Sequence, residues 1–440
     1  MLTGLCLFFI AYLVQGYEIP LLWQEQCSFS ELNITGVEGQ FNHSDYRMRG
    51  LAMVFRHGER SGLTLPDDAD DCGPFNLQDD VRFSEHELLV QSEEFVDWMG
   101  ISTEKLGWKG QEGPYVPCPQ RSKCSRGQLT AEGALQHVKL GEYMRKRYEW
   151  MYGNDTQLKV TVRTTNYNRT LQSAVAFCST FLYPHKERIG QNLDFMIANN
   201  TLICFDDECQ CPYAHNLWWR AHNEEYETFL DIATPRVRKI VETARRMSEF
   251  AICREPHMIF DTAMTRYICR RKELPCKEGE GCLTWNDMNE ILNFTTIRGW
   301  YWYNTTSKYM RKSVDDIKAL NFLTMLFRDV SALQNDTSAS FIRLISGHDI
   351  TVAAIFHSLG VEFPDPPRYT SRIVVEVFEK FDGSQYFRMI FNGLDYTPKL
   401  SICSERVDGL CPLPKLKEFF VKMQEITKET RDKCFEDPEI

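Results

Sequence analysis

Apolar residues along the chain fall into short dense runs and longer periodic ones. Leu51-Ala52-Met53-Val54-Phe55, Lys159-Val160-Thr161-Val162 and Phe341-Ile342-Arg343-Leu344-Ile345 are strand-like. The first reads as a buried strand of the parallel-sheet type. The clearest helix runs from Ser313 to Leu333, where Val314, Ile317, Leu320, Leu323, Phe327 and Val330 form one apolar stripe. Ser313 with Asp316 gives it a capping-box pattern. Helices are also predicted from about Leu129 to Trp150, after Arg163 towards Tyr183, over Ile350–Leu359 and from about Leu416 to Thr427. Trp218–Leu230, Val237–Phe250 and Trp285–Leu292 read as short helices with cysteine-rich loops between them. Arg372–Phe378 and Gln385–Phe391, joined around Phe381-Asp382-Gly383-Ser384, predict a hairpin.

Strands that alternate with helices predict an α/β domain. The helix-rich texture between about 201 and 335 predicts a helical subdomain set into it, leaving 17–200 and 336–440 as the α/β part. Residues 17–48 are polar and read as an exposed lead-in. Pro66–Gly73 is an acidic, turn-rich loop without the glycine and glutamate of an EF-hand calcium loop. Trp98, Trp108 and the region 114–119 read as irregular. Arg245-Arg246 and Arg270-Arg271-Lys272 read as solvated faces. No repeat, low-complexity tract or long linker interrupts the chain.

Composition narrows the function classes. The 440 residues are enough for one large core or two smaller ones. A net charge of −11 with no compensating basic stripe argues against a nucleic-acid partner. Any phosphate site must therefore be locally basic. Residues 1–16, with an apolar run from Leu5 to Val14, have the length of a signal-peptide core and lack its basic flank. No later run reaches the roughly 18 apolar residues of a membrane span. Sixteen cysteines and eight glycosylation sequons, at Asn33, Asn42, Asn154, Asn168, Asn199, Asn293, Asn304 and Asn335, point to a secreted or lysosomal chain with disulfides. Removal of Cys6 leaves fifteen, which implies one free thiol or one partner outside the chain. Cys204, Cys209 and Cys211 lack the paired spacing of a structural zinc site.

The candidate chemistry lies where the three strand-like runs end. They deliver Arg56-His57-Gly58-Glu59-Arg60, then Arg163-Thr164-Thr165, then Ser346-Gly347-His348-Asp349. In open α/β sheets ligands sit beyond the carboxyl ends of strands. Arg56, Arg60 and Arg163 supply planar forks that match phosphate oxygens, and a neutral imidazole nitrogen is a nucleophile. Alone, the first string fits equally well a loop histidine between two surface arginines. The three strings together point to a phosphate site.

This constellation resembles the histidine acid phosphatases, with an RHGxR loop near the start, a second arginine after a strand and an HD pair far downstream. Gly127-Gln128-Leu129-Thr130 through Arg145-Lys146-Arg147-Tyr148 looks like that family's helix after the first motif, and Arg163 through Arg169-Thr170-Leu171 to Ser173-Ala174 looks like its second-arginine segment. One departure is Gly62, where family members usually carry proline. The resemblance implies a phosphoglycerate-mutase-like α/β fold with a mostly parallel central sheet. It implies that His57 attacks phosphorus, that Arg56, Arg60 and Arg163 clamp the phosphoryl oxygens, that His348 adds a donor, and that Asp349 protonates the leaving oxygen. No metal and no cofactor enter that chemistry. The implied partners are small phosphate esters, with no nucleic acid and no membrane span; a homodimer is left open. Disulfides Cys403–Cys411 and Cys211–Cys434 follow from similar cysteine–proline strings. A mutase-like transferase, a phytase-like enzyme and a catalytically inactive secreted binding protein are the alternatives, and sequence does not give the pocket size that separates some of them.

Overall fold

The computed structural model describes residues 19–434, apart from 30–31, 42, 64–71, 74–76, 103–115, 122–123, 153–156, 199–210, 215, 218–219, 222–232, 305–307, 334–337 and 362–365. Eight strands form one sheet: β1 Tyr46–Arg56, β2 Gln157–Thr164, β3 Leu193–Ile197, β4 Ala339–Gly347, β5 Arg372–Lys380, β6 Gln385–Phe391, β7 Leu394–Asp395 and β8 Cys411–Pro412. Their order is β8-β6-β5-β1-β4-β2-β3, with β7 on β6. The α/β architecture matches the sequence reading, and the sheet is mixed. The half β1-β4-β2-β3 is parallel, while β1, β5, β6 and their neighbours pair antiparallel. All three motif strands lie in the parallel half, so their carboxyl ends share one edge.

Two apolar layers sandwich this sheet. One packs helices Ala131–Tyr148 and Asn168–Phe181 against Leu51, Met53, Phe55, Val160, Val162 and Leu344. The other packs Lys308–Leu333 and Asp349–Ser358 against Ala52, Val54, Ile345 and Val375. The alternation of β1 residues between the layers is the period-two geometry of a strand buried on both faces. The stripe from Val314 to Val330 is buried as its spacing predicts. That helix starts at Lys308, so Ser313 lies inside it and does not cap it. A separate cluster holds Pro235–Arg245, Pro256–Ala263 and the first turns of Trp285–Asn304.

The lead-in is only partly exposed. Helix Leu21–Cys27 buries Trp23 and Cys27 in the helical cluster, and Glu38 is fully buried against Arg372. Polar spacing hid this, because the burial rests on a disulfide and ion pairs as well as apolar residues. Leu77–Val90 and Glu93–Met99 are helices that the sequence reading missed, and Trp98 lies in the second. The predicted loop Pro66–Gly73 and helix Trp218–Leu230 lie mostly outside the described residues, as do residues 1–16.

Five disulfides join described residues: Cys27–Cys269, Cys72–Cys124, Cys211–Cys434, Cys276–Cys282 and Cys403–Cys411. Both pairings anticipated from sequence are present. Bridges in this number belong to the oxidising compartments of the secretory pathway. Cys118, Cys178 and Cys253 are unbridged and buried, where the odd count implied one free thiol or one partner outside the chain. They act as small apolar side chains. Asn168 is 7% exposed, which leaves its sequon no room for a glycan. No described helix is long and apolar enough to cross a membrane.

Candidate active site

The loop after β1 is held from every side. His57 N donates to Gly347 O (2.9 Å), Arg56 N to Ser371 O (2.9 Å) and Gly58 N to Ser173 Oγ (3.1 Å). These bonds tie it to the ends of β4, β5 and the helix Asn168–Phe181. A Cβ on Gly58 would sit 2.2 Å from Gly133 O, and one on Gly133 would sit 2.2 Å from Glu59 O. Only paired glycines allow the loop to lie on the first turn of Ala131–Tyr148. Thr130 caps that helix, with Gly133 N donating to its Oγ1 (3.0 Å), and its hydroxyl meets the buried Glu59 carboxylate (2.5 Å). Gln136 accepts from Glu59 N (2.9 Å). The string Gly127-Gln128-Leu129-Thr130 thus acts as a cradle for the histidine loop.

His57 is 2% exposed, and its Nδ1 lies 2.7 Å from its neighbour's carbonyl, Gly58 O. A carbonyl only accepts, so Nδ1 carries the proton and Nε2 keeps its lone pair. Burial, then the charges of Arg169, Arg56, His348 and Arg60, hold the His57 pKa well below its ordinary value. His348 stands edge-on to it, ring centres 5.5 Å apart, and Thr165 Oγ1 fixes the His348 Nε2 edge at 3.0 Å. Thr165 in turn meets Thr170 Oγ1 at 2.7 Å. Burial and Arg169 keep His348 neutral too, against the opposing pull of Asp349.

Arg56 Nη2 lies 3.3 Å from Asp349 Oδ2, its Nη1 donates to Pro367 O (2.5 Å), and its plane covers the Tyr369 ring at 4.5 Å. Asp349 opens the helix Asp349–Ser358, with Ile350 N on its Oδ1 (2.8 Å), and is the most exposed of these groups, at 45% of its side chain. Burial pushes its carboxyl up, but Arg56, His348, the Ile350 N–H and Arg60 outweigh this and leave it below the usual carboxylate range. Arg60 is paired with Asp261 of the helix Pro256–Ala263 (2.6 Å).

Five of the six sequence candidates, Arg56, His57, Arg60, His348 and Asp349, are therefore brought together at one place. Arg163 does not join them. Its guanidinium turns to Asp194 on the neighbouring strand, 2.7 Å away, and to the carbonyls of Val162 and Asp194. Arg169, six residues on, takes the position: it lies in the first turn of a buried helix, over the Tyr167 ring at 4.3 Å. Its charge is the foremost one acting on both histidines. One signal was in the sequence, since a cation at a helix N-terminus opposes the helix dipole and needs an anion nearby. Asp261, Tyr369, Glu59 and Arg270 also went unread. Arg270, expected on a solvated face, is 5% exposed and pairs with Glu59 (3.4 Å).

A neutral imidazole with a free lone pair among buried arginines suits phosphoryl transfer, which relies on positioning and on positive charge around the phosphoryl oxygens. A family profile described as the histidine phosphatase superfamily (branch 2) matches residues 47–392. The chain belongs to that family. As a histidine phosphatase of this branch it is a phosphomonoester hydrolase of the histidine acid phosphatase type. It is 24% identical over 432 residues to 2-phosphoxylose phosphatase 1 of Danio rerio, covering 90% of this chain and 83% of that one. It is 22% identical over 311 residues to lysosomal acid phosphatase of Bos taurus, covering 65% and 68%. Among solved structures it is similar to the phytase from D. castellii, with 13% identity, a TM-score of 0.49, and 91% and 85% of the two chains covered.

Proposed function

We propose that this histidine phosphatase hydrolyses phosphate monoesters in an acidic compartment through a phosphohistidine on His57. The observation that carries this reading is the His57–Gly58 hydrogen bond, which commits Nδ1 to donation and leaves Nε2 to attack. Arg56, Arg60 and Arg169 supply the positive charge that the phosphoryl oxygens require in the transition state. Asp349, the exposed carboxyl at the mouth, gives its proton to the leaving oxygen. Water then takes the phosphoryl group from His57, with Asp349 as base. His57 stays neutral at acid pH because burial and the arginines oppose its protonation. Five disulfides support an exported protein, secreted or lysosomal.

Rapid alkaline quench during turnover of a radiolabelled ester tests the intermediate. Acid-labile, base-stable label should appear on wild type and be absent from His57→Ala. Label that persists in His57→Ala would refute the assignment.

The similarity to 2-phosphoxylose phosphatase 1 favours a sugar phosphate as the substrate class to compare. Comparing kcat/KM for a pentose 2-phosphate and for inositol hexakisphosphate separates that reading from a phytase-like one. A preference for the inositol ester would reject it.

A further inference from the structure

The helical layer reaches the histidine loop at Arg60. This arginine's side chain is 6% exposed. Its Nη1 donates to Ser61 O (2.9 Å) and Asp261 Oδ2 (3.3 Å), and its Nη2 donates to Asp261 Oδ1 (2.6 Å). A guanidinium has five N–H groups in a fixed plane, so three are engaged. The two left over are Nε–H and the second Nη2–H. They lie side by side on one edge of the plane and make a second fork, which matches two oxygens of a phosphoryl group. The Nε atom is buried without a hydrogen-bond partner among the described residues. Asp261 thus takes the end of the guanidinium and leaves its side edge open.

We propose that Asp261 is a positioning residue for phosphate recognition: it locks Arg60 so that its Nε–Nη2 edge faces the phosphoryl group. This rests on the reading of Arg60 as a phosphate clamp. Asp261 stands on the helix Pro256–Ala263, which continues through a π-helical turn, Met264–Ile268, to Cys269 and Arg270. Cys269 is bridged to Cys27, and Arg270 pairs with Glu59, the residue before Arg60. The carboxylate is therefore fixed to the loop it orients at a second point.

Asp261 also cancels part of the charge of Arg60, so its removal has two opposed effects. Greater net charge attracts a phosphate dianion more strongly. Against this, a freed guanidinium loses both acceptors at its end, and Asp349 is another carboxylate whose charge it feels. Turning towards Asp349 would take the open edge away from the phosphoryl group and occupy the proton donor. Loss of direction outweighs gain of charge, because a buried fork binds through aligned hydrogen bonds.

The test is a double-mutant cycle read by competitive inhibition with inorganic phosphate, using nitrophenyl phosphate as substrate. Asp261→Asn keeps the volume, and Asp261→Ser is a second variant with the same expected sign. In otherwise wild-type enzyme each should weaken phosphate inhibition about tenfold, within the coupling range of contacting residues. KM should rise in step. In an Arg60→Ala background the same substitutions should change inhibition less than about twofold. Unchanged or tighter inhibition in the single variants would overturn the proposal. So would an equal loss in the Arg60→Ala background, which would mark a general structural role. Wild-type phosphate affinity in Arg60→Ala alone would instead overturn the clamp reading on which the proposal stands.

Discussion

Arg163 and Asp194 bind each other across adjacent parallel strands at 2.7 Å, and this pairing turns Arg163 away from the other candidate side chains. Arg163→Ala should therefore lower Tm only slightly, because the Asp194 side chain is 55% exposed, while changing kcat/KM less than about fivefold. Arg169→Ala should lower kcat/KM by about 10²–10³-fold, the effect of losing one directed donor to transition-state charge. Steady-state kinetics on both variants checks this. A larger loss in Arg163→Ala than in Arg169→Ala would return the clamp to Arg163.

The exposed position of Asp349 at the pocket mouth suits a group that meets the leaving oxygen. A nitrophenolate departs without a proton, whereas an alkoxide needs one. Asp349→Asn should slow alkyl phosphates about 10²–10⁴-fold and nitrophenyl phosphate much less, where phosphoryl transfer limits both. The measurement is kcat/KM for the two esters. Equal losses would exclude Asp349 as the donor.

The pH profile follows from opposite requirements on two groups whose pKa values are both lowered. In the proposed mechanism His57 attacks as the neutral imidazole, so activity should extend to acid pH as far as its lowered pKa. The same mechanism needs Asp349 protonated, and in the free enzyme the net effect of its neighbours makes that form scarce as pH rises. Bound phosphate adds negative charge beside Asp349 and raises its pKa. The alkaline limb of kcat should thus lie at higher pH than that of kcat/KM, after correction for the ester's own second ionisation near ~6. A kcat/KM that rises from pH 5 to pH 8 would contradict this assignment.

His86 is 5% exposed, and neither ring nitrogen has a hydrogen-bond partner among the described residues. Burial lowers its pKa to about 4 from 6.5. The unfolded chain binds the proton first as pH falls, so this site stabilises the fold above about 6.5 and progressively loses that contribution towards 4. His86→Leu removes the penalty. The Tm of the variant relative to wild type should therefore rise between pH 7 and pH 4.5. Parallel Tm curves over that interval would show that His86 does not titrate on unfolding.

The sequence alone determined the strands that carry the motifs, the buried stripe of Lys308–Leu333 and two disulfides inferred from family likeness. Apolar runs and periodic stripes are local, because they report which face of one element leaves water. It also named Arg56, His57, Arg60, His348 and Asp349, since those side chains lie within a few residues of the strand ends. The tertiary structure decided what depends on partners distant in sequence. Arg163 and Arg169 are equally basic on paper, and only the adjacent strand's Asp194 shows which one is consumed. Asp261 and Arg270 face the histidine loop from about two hundred residues away, so no window of sequence joins them to it. The lead-in looked solvated because its burial rests on Cys27–Cys269 and Glu38–Arg372 as well as apolar packing. Hydrophobic patterning is a property of one segment, whereas ion pairing and orientation are properties of two, and only the folded chain sets their distance.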